Sequence, residues 1–295
     1  MQRSLYTQSP KKLFFSLAAL AVLGCVAGML ISAALSRAAS QLGNNTAWIP
    51  GLSAVLTSVS VFAVPSLIFW HFSTGIKRGL QVYKPQWNTL VYASMAVLAL
   101  QPFLQFIVTF TRDFLEYALP ADIFHRLTEA QASREGSIAR IVGEHSWASF
   151  PVTALILGVV PALCEEFFFR GTLQRLLIRI SHRRALSVII VSIVFTAIHL
   201  DWFNCVGIFL CSVFLGYLYI YTSNIWVPVA FHLASNLWNI FLMYAAARIQ
   251  PEEMEKTGGI IPWWSALISI VLAILLIRMV RTSYLLKRKK HLYGK

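Results

Sequence analysis

The chain is built largely from apolar runs about as long as a bilayer is thick. Eight can be read, over residues 13–35, 48–72, 88–111, 150–180, 185–200, 203–222, 226–247 and 263–280. A helix needs about 20 apolar residues to cross the hydrocarbon core. Backbone groups in lipid have no water to bond, so each crossing run must close its own hydrogen bonds, as an α-helix does. The runs predict an all-α polytopic membrane protein with about eight transmembrane helices. Composition agrees, because only 13% of residues are charged where a soluble domain carries about a quarter. No repeat, low-complexity tract or linker divides the sequence, so residues 1–295 are expected to form a single membrane domain.

The charges sort by side. With the N-terminus inside, the inward segments hold Arg3, Lys11, Lys12, Lys77, Arg78, Lys84, Arg170, Arg175, Arg179, Arg183 and Arg184. The C-terminal end adds Arg278, Arg281, Lys287, Arg288, Lys289, Lys290 and Lys295. The other basic residues are Arg37, Arg112, Arg126, Arg134, Arg140, Arg248 and Lys256. This bias predicts a cytoplasmic N-terminus and C-terminus in a multi-pass protein of the cell membrane. The net charge of +13 then reflects topology and contact with anionic membrane lipid. Basic residues scattered over short membrane loops do not make a nucleic-acid surface. Acidic residues sort the other way, with Asp113, Glu116, Asp122, Glu129, Glu135, Glu144, Asp201, Glu252, Glu253 and Glu255 in outward segments or at their edges. Glu165 and Glu166 alone fall inside an apolar run.

Two regions carry little chemistry. Cys25, Cys164, Cys205 and Cys211 sit in apolar segments without metal-ligand spacing and read as small core residues. The apolar run continues ten residues past Cys25, too far for a signal peptide, so an uncleaved first helix is expected. The polar segment 112–149, broken at Pro120, suits one or two interfacial helices or a solvated loop.

Ionisable groups inside a membrane cost roughly 2.5–3.5 kcal/mol each on insertion scales. The pair in Cys164-Glu165-Glu166-Phe167-Phe168-Phe169-Arg170 therefore needs a reason. Glu166 and Arg170 are four apart and share a helix face, so they can form a structural ion pair. Glu165 points about 100° away and is left as the chemical group, since a carboxylate in a low-dielectric pocket can serve as a general base. Residue 182, in the basic turn Ser181-His182-Arg183-Arg184, is the midpoint between Glu165 and His199. An antiparallel hairpin about that turn brings the two to one depth. Phe195, one turn before His199, can pack on its ring.

The third element is His232-Leu233-Ala234-Ser235-Asn236, with His232 and Asn236 at i and i+4 on the seventh helix and Pro228 near its start. These groups are expected to line one cavity. They suit hydrolysis, with Glu165 and His199 activating water and His232 and Asn236 donating to a developing oxyanion. Glu165, His199 and His232 would also suit zinc.

The pattern Glu165-Glu166-xxx-Arg170, Phe195-xxx-His199 and His232-xxx-Asn236 resembles the three motifs of the CAAX protease and bacteriocin-processing (CPBP, or Abi) family, which includes the Ras-converting endoprotease. The match covers about residues 151–247, the family's catalytic core. The resemblance implies an eight-helix intramembrane endopeptidase acting on a membrane-associated or membrane-embedded protein or peptide. It gives Glu165 and His199 the water and His232 and Asn236 the oxyanion, with Glu166, Arg170 and Phe195 in support. The motifs lack the His-Glu-xx-His helix of zinc proteases, so no cofactor is expected, zinc being the alternative. A catalytically silent scaffold, partner to a sensor or peptide-export system, is the competing reading. A proton-coupled carrier should show inverted repeats, which the sequence lacks.

Depth poses a problem. A fully spanning 185–200 helix puts His199 near the outer face, while His232 follows the inward turn Ser223-Asn224-Ile225 by seven residues. Two devices would reconcile them: a fourth helix that leaves the hydrocarbon near Arg170, or a re-entrant turn at 223–226. Either favours a chamber open to the cytoplasm.

Overall fold

The computed structural model describes residues 9–42, 46, 48–73, 84–143, 146–247 and 261–293. Among them there is no strand. The described residues form nine helices, in order: α1 (Pro10–Leu42), α2 (Ile49–Ser73), α3 (Trp87–Ala118), α4 (Ala121–Val142), α5 (Phe150–Ser181), α6 (Arg184–His199), α7 (Cys205–Thr222), α8 (Trp226–Ala246) and α9 (Trp263–Tyr293). All but α4 and α6 are long and apolar enough to cross a membrane. The protein is therefore an all-α, multi-pass membrane bundle with seven such helices where eight were expected. The eighth run became α6, whose 16 residues reach only about 24 Å. Residues 112–149 extend α3 to Ala118, stop at Pro120 and continue as the amphipathic α4. Arg3, Lys77, Arg78, Glu144, Arg248, Glu252, Glu253, Glu255, Lys256 and Lys295, used for the orientation, lie outside the described residues.

Prolines shape three of the long helices. Proline donates no hydrogen bond, and its ring collides with the carbonyl four residues back. In α2 and α5 the turn before the proline widens to π geometry, at Val59–Ala63 ahead of Pro65 and at Ala154–Val159 ahead of Pro161. In α3 the disturbance at Pro102 is met from another helix. Ser269 Oγ on α9 accepts from the Phe103 amide at 3.2 Å and donates to the Ala99 carbonyl at 2.6 Å. A hydroxyl from α9 thus bonds both groups beside the proline.

Two apolar clusters fix the bundle. One joins α3, α7, α8 and α9 through Leu100, Leu218, Phe231 and Ala273. The other joins α1, α2, α5 and α6 through Leu17, Trp70, Phe169 and Phe195. Helix α5 also packs on α8, so its middle lies between the two clusters, where the acidic pair sits.

Candidate active site

Helix α5 carries the acidic pair on a segment of unusual geometry. Glu165 and Glu166 end an α-helical stretch, and Phe169–Gln174 continues as a π turn with all six residues buried. Arg170 therefore points into the bundle. Both Glu166 and Arg170 are 0% exposed. Arg170 Nη1 donates to Glu166 Oε1 at 3.0 Å, and Nη2 donates to the Ser212 carbonyl and hydroxyl at 3.1 and 2.8 Å. Its guanidinium also lies 4.8 Å from the Phe195 ring centre. The expected ion pair is present. Ser212 of α7 gives Arg170 further partners inside the bundle. In the turn Ser223–Ile225, Asn224 and Ile225 are 6% and 0% exposed, while Ser223 is exposed.

The hairpin about residue 182 forms as the spacing predicted. His182 takes a left-handed conformation, φ 57°, and α6 returns along α5. His199 Nε2 comes to 3.9 Å from Glu165 Oε2. His232 Nε2 lies at 3.9 Å from the same oxygen. That oxygen is buried and makes no hydrogen bond with the protein.

The two imidazoles are held by their other nitrogens. His199 Nδ1 is 2.6 Å from the Phe195 carbonyl. A carbonyl only accepts, so Nδ1 carries the proton and Nε2 of the neutral ring is a lone pair facing Glu165. Phe195 stacks on that ring, with centroids 4.4 Å apart, as expected. His232 Nδ1 is 2.8 Å from Glu166 Oε1 and so donates to it. Glu166 therefore orients His232 as well as Arg170, a second task that local spacing did not reveal because its partner is 66 residues away. Asn236 Nδ2 points toward the Gly158 carbonyl at 3.4 Å.

The expected single cavity is two. Glu165 opens onto a cavity of about 630 Å³, with Phe62, Ile198, Leu200 and Trp202. His232 and Asn236 open onto another of about 260 Å³. His199 and Arg134 line both. Arg134, on α4, donates to the His199 carbonyl and lies 3.4 Å from Asp201. Neither Arg134 nor Asp201 was singled out from sequence. The one available signal was an acidic residue two positions after a candidate catalytic histidine. Both cavities border α4 and the residues just after α6, the end of the bundle opposite the turn at 182.

Zinc fits this donor set poorly. Bonds of about 2.1 Å at tetrahedral angles hold ligand atoms about 3.4 Å apart, closer than the 3.9 Å from Glu165 to each imidazole. Among the described residues no group of three His, Cys, Asp or Glu side chains gathers in a metal-binding arrangement. The four cysteines are free thiols.

Residues 147–238 match a family model described as Rce1-like, type II CAAX prenyl endopeptidase. No curated protein and no solved structure matches the chain. The matched segment contains every member of the Glu165, Glu166, Arg170, Phe195, His199, His232 and Asn236 constellation. The similarity to the Rce1-like family is confined to residues 147–238, under half of the chain.

Proposed function

We propose that this protein is an intramembrane endopeptidase that cleaves a membrane-associated or membrane-embedded protein or peptide, with Glu165 as general base. One observation carries the reading. Glu165 Oε2 lies 3.9 Å from Nε2 of both His199 and His232, whereas Glu166 Oε1 already accepts from Arg170 and His232. Glu166 Oε2 is likewise without a hydrogen bond, but Glu166 is 0% exposed, whereas Glu165 lines the larger cavity and can be reached by a third molecule.

A water within hydrogen-bond reach of Glu165 and the His199 lone pair gives a proton to Glu165 as its oxygen bonds to the substrate carbonyl carbon. The carbonyl oxygen becomes an oxyanion. Asn236 Nδ2–H donates to it, and so does His232 Nε2–H, which requires the imidazolium form that Glu166 can support at Nδ1. The C–N bond then breaks. Glu165 passes its proton to the leaving nitrogen, giving a carboxylic acid and an amine. Glu166, Arg170 and Phe195 act by positioning. The chemistry calls for no metal and no other cofactor.

Purified protein and a reporter peptide test this. Loss of a general base typically costs about 10²–10⁴ in rate, so Glu165→Gln should fall by at least that much while remaining folded. Glu166→Gln should mainly lower stability. Full turnover in Glu165→Gln would remove the proposal.

A further inference from the structure

Helix α8 is apolar over most of its surface, yet His232, Ser235, Asn236 and Asn239 recur at i, i+3, i+4 and i+7 and so share one face. Gln101 and Gln105 form an i, i+4 pair on α3, and Asn204 stands at the start of α7. All of these line the cavity of about 260 Å³ that begins at His199 and His232. Gln101 is partly engaged, donating to the Val97 carbonyl at 3.1 Å, whereas Gln105 and Asn239 are exposed. Polar residues in a spanning bundle are costly and mark paths or binding sites. This set is mostly uncharged. Each carboxamide offers two donors and an acceptor, which is what a peptide main chain requires.

Peptide cleavage inside a bilayer creates that requirement. In a helix each carbonyl is taken by the amide four residues on, so the scissile segment must be unwound before attack. Its freed amides and carbonyls then need partners, and lipid offers none. Strand spacings of about 3.3, 4.8 and 10 Å allot roughly 160 Å³ to each packed extended residue. The cavity therefore has room for one or two residues.

We propose that this cleft between α3, α7 and α8 is the subsite that holds the unwound main chain of the substrate on one side of the scissile bond. Its ligand class is uncharged peptide amide, bound chiefly by Gln105, Asn204 and Asn239. The proposal rests on the endopeptidase reading. The rival use of the same cleft is a water path to His232.

The test measures binding to the full-length Glu165→Gln protein in lipid nanodiscs. The probe is a short fluorescent peptide, leucine-rich at both ends, with a central Ala-Gly-Asn-Ala segment. A second probe replaces the central amides by esters. Adding Gln105→Leu and Asn239→Leu should weaken the amide probe by about tenfold or more, as expected for losing two hydrogen bonds. The ester probe should bind more weakly than the amide probe to the parent, and by a smaller factor to the leucine variant, because the leucines remove part of the contacts that the esters remove. If the leucines lower the thermal midpoint, Gln105→Glu and Asn239→Asp keep the volume, remove the donors and must show the same loss. Unchanged affinity in the variants, an ester effect undiminished in them, or no binding to the parent would overturn the subsite. Binding with the expected coupling but no cleavage by wild type would leave the subsite and remove the endopeptidase reading. Cleavage with no effect of the leucines would do the reverse.

Discussion

Arg170→Ala is the perturbation most sharply specified by the structure. The guanidinium is fully buried and bonded to Glu166 at 3.0 Å and to the Ser212 hydroxyl at 2.8 Å. Its removal leaves Glu166 as a buried carboxylate whose remaining partner is His232. Breaking a buried pair on one side costs about 3–5 kcal/mol. The face contact with Phe195 is worth up to about 2 kcal/mol when desolvated, but such terms share one side chain and do not add. A loss of about 3–5 kcal/mol is therefore expected. At about 2–4 °C per kcal/mol, this is roughly 6–20 °C in the thermal midpoint of detergent-solubilised protein. Arg170→Met combined with Glu166→Gln removes both charges and should recover much of the loss. An Arg170→Ala midpoint within about a degree of wild type, too small a shift for any such loss, would refute the argument that Arg170 balances Glu166 and ties α5 to Ser212 of α7.

Other expectations are smaller. Ser269→Ala removes the hydroxyl that bridges the Pro102 break and should cost about 1–3 kcal/mol, with faster hydrogen exchange at the Phe103 amide as its local signature. Gly216→Ala would set a methyl 2.8 Å from Val188 Cγ1 and 3.1 Å from Gln174 Oε1, so a loss of about 1–3 kcal/mol from overpacking is expected in the same thermal assay. Strong chelators should leave turnover of a reporter peptide unchanged, because Glu165 and His199 supply the base without a metal. Activity lost to chelators and restored only by zinc would reverse that assignment.

The parts of the site legible in sequence are those set by local spacing. Glu166 and Arg170 at i, i+4 pair because a helix puts them on one face, and Glu165 meets His199 because a short turn makes the hairpin antiparallel. What stayed hidden depends on partners distant in sequence. Arg170 reads as a membrane-edge charge until Ser212 of α7 is seen beside it. Arg134 reads as one more outward arginine, yet it reaches the His199 carbonyl and lines both cavities. The eighth span fell short because Leu200 turns left-handed, φ 50°, and ends α6 at His199. The widened turns Val59–Ala63 and Ala154–Val159 precede Pro65 and Pro161, whereas the turn at Phe169–Gln174 has no proline after it to mark it in the sequence.

The central claim is that Glu165 makes this bundle an endopeptidase. It is tested most directly by comparing protein termini in membranes from cells expressing wild-type and Glu165→Gln protein at equal levels. The account predicts at least one membrane protein or peptide whose new terminus appears with wild type and whose uncut form accumulates with Glu165→Gln. Identical termini in the two membranes, at matched levels of folded protein, would contradict it.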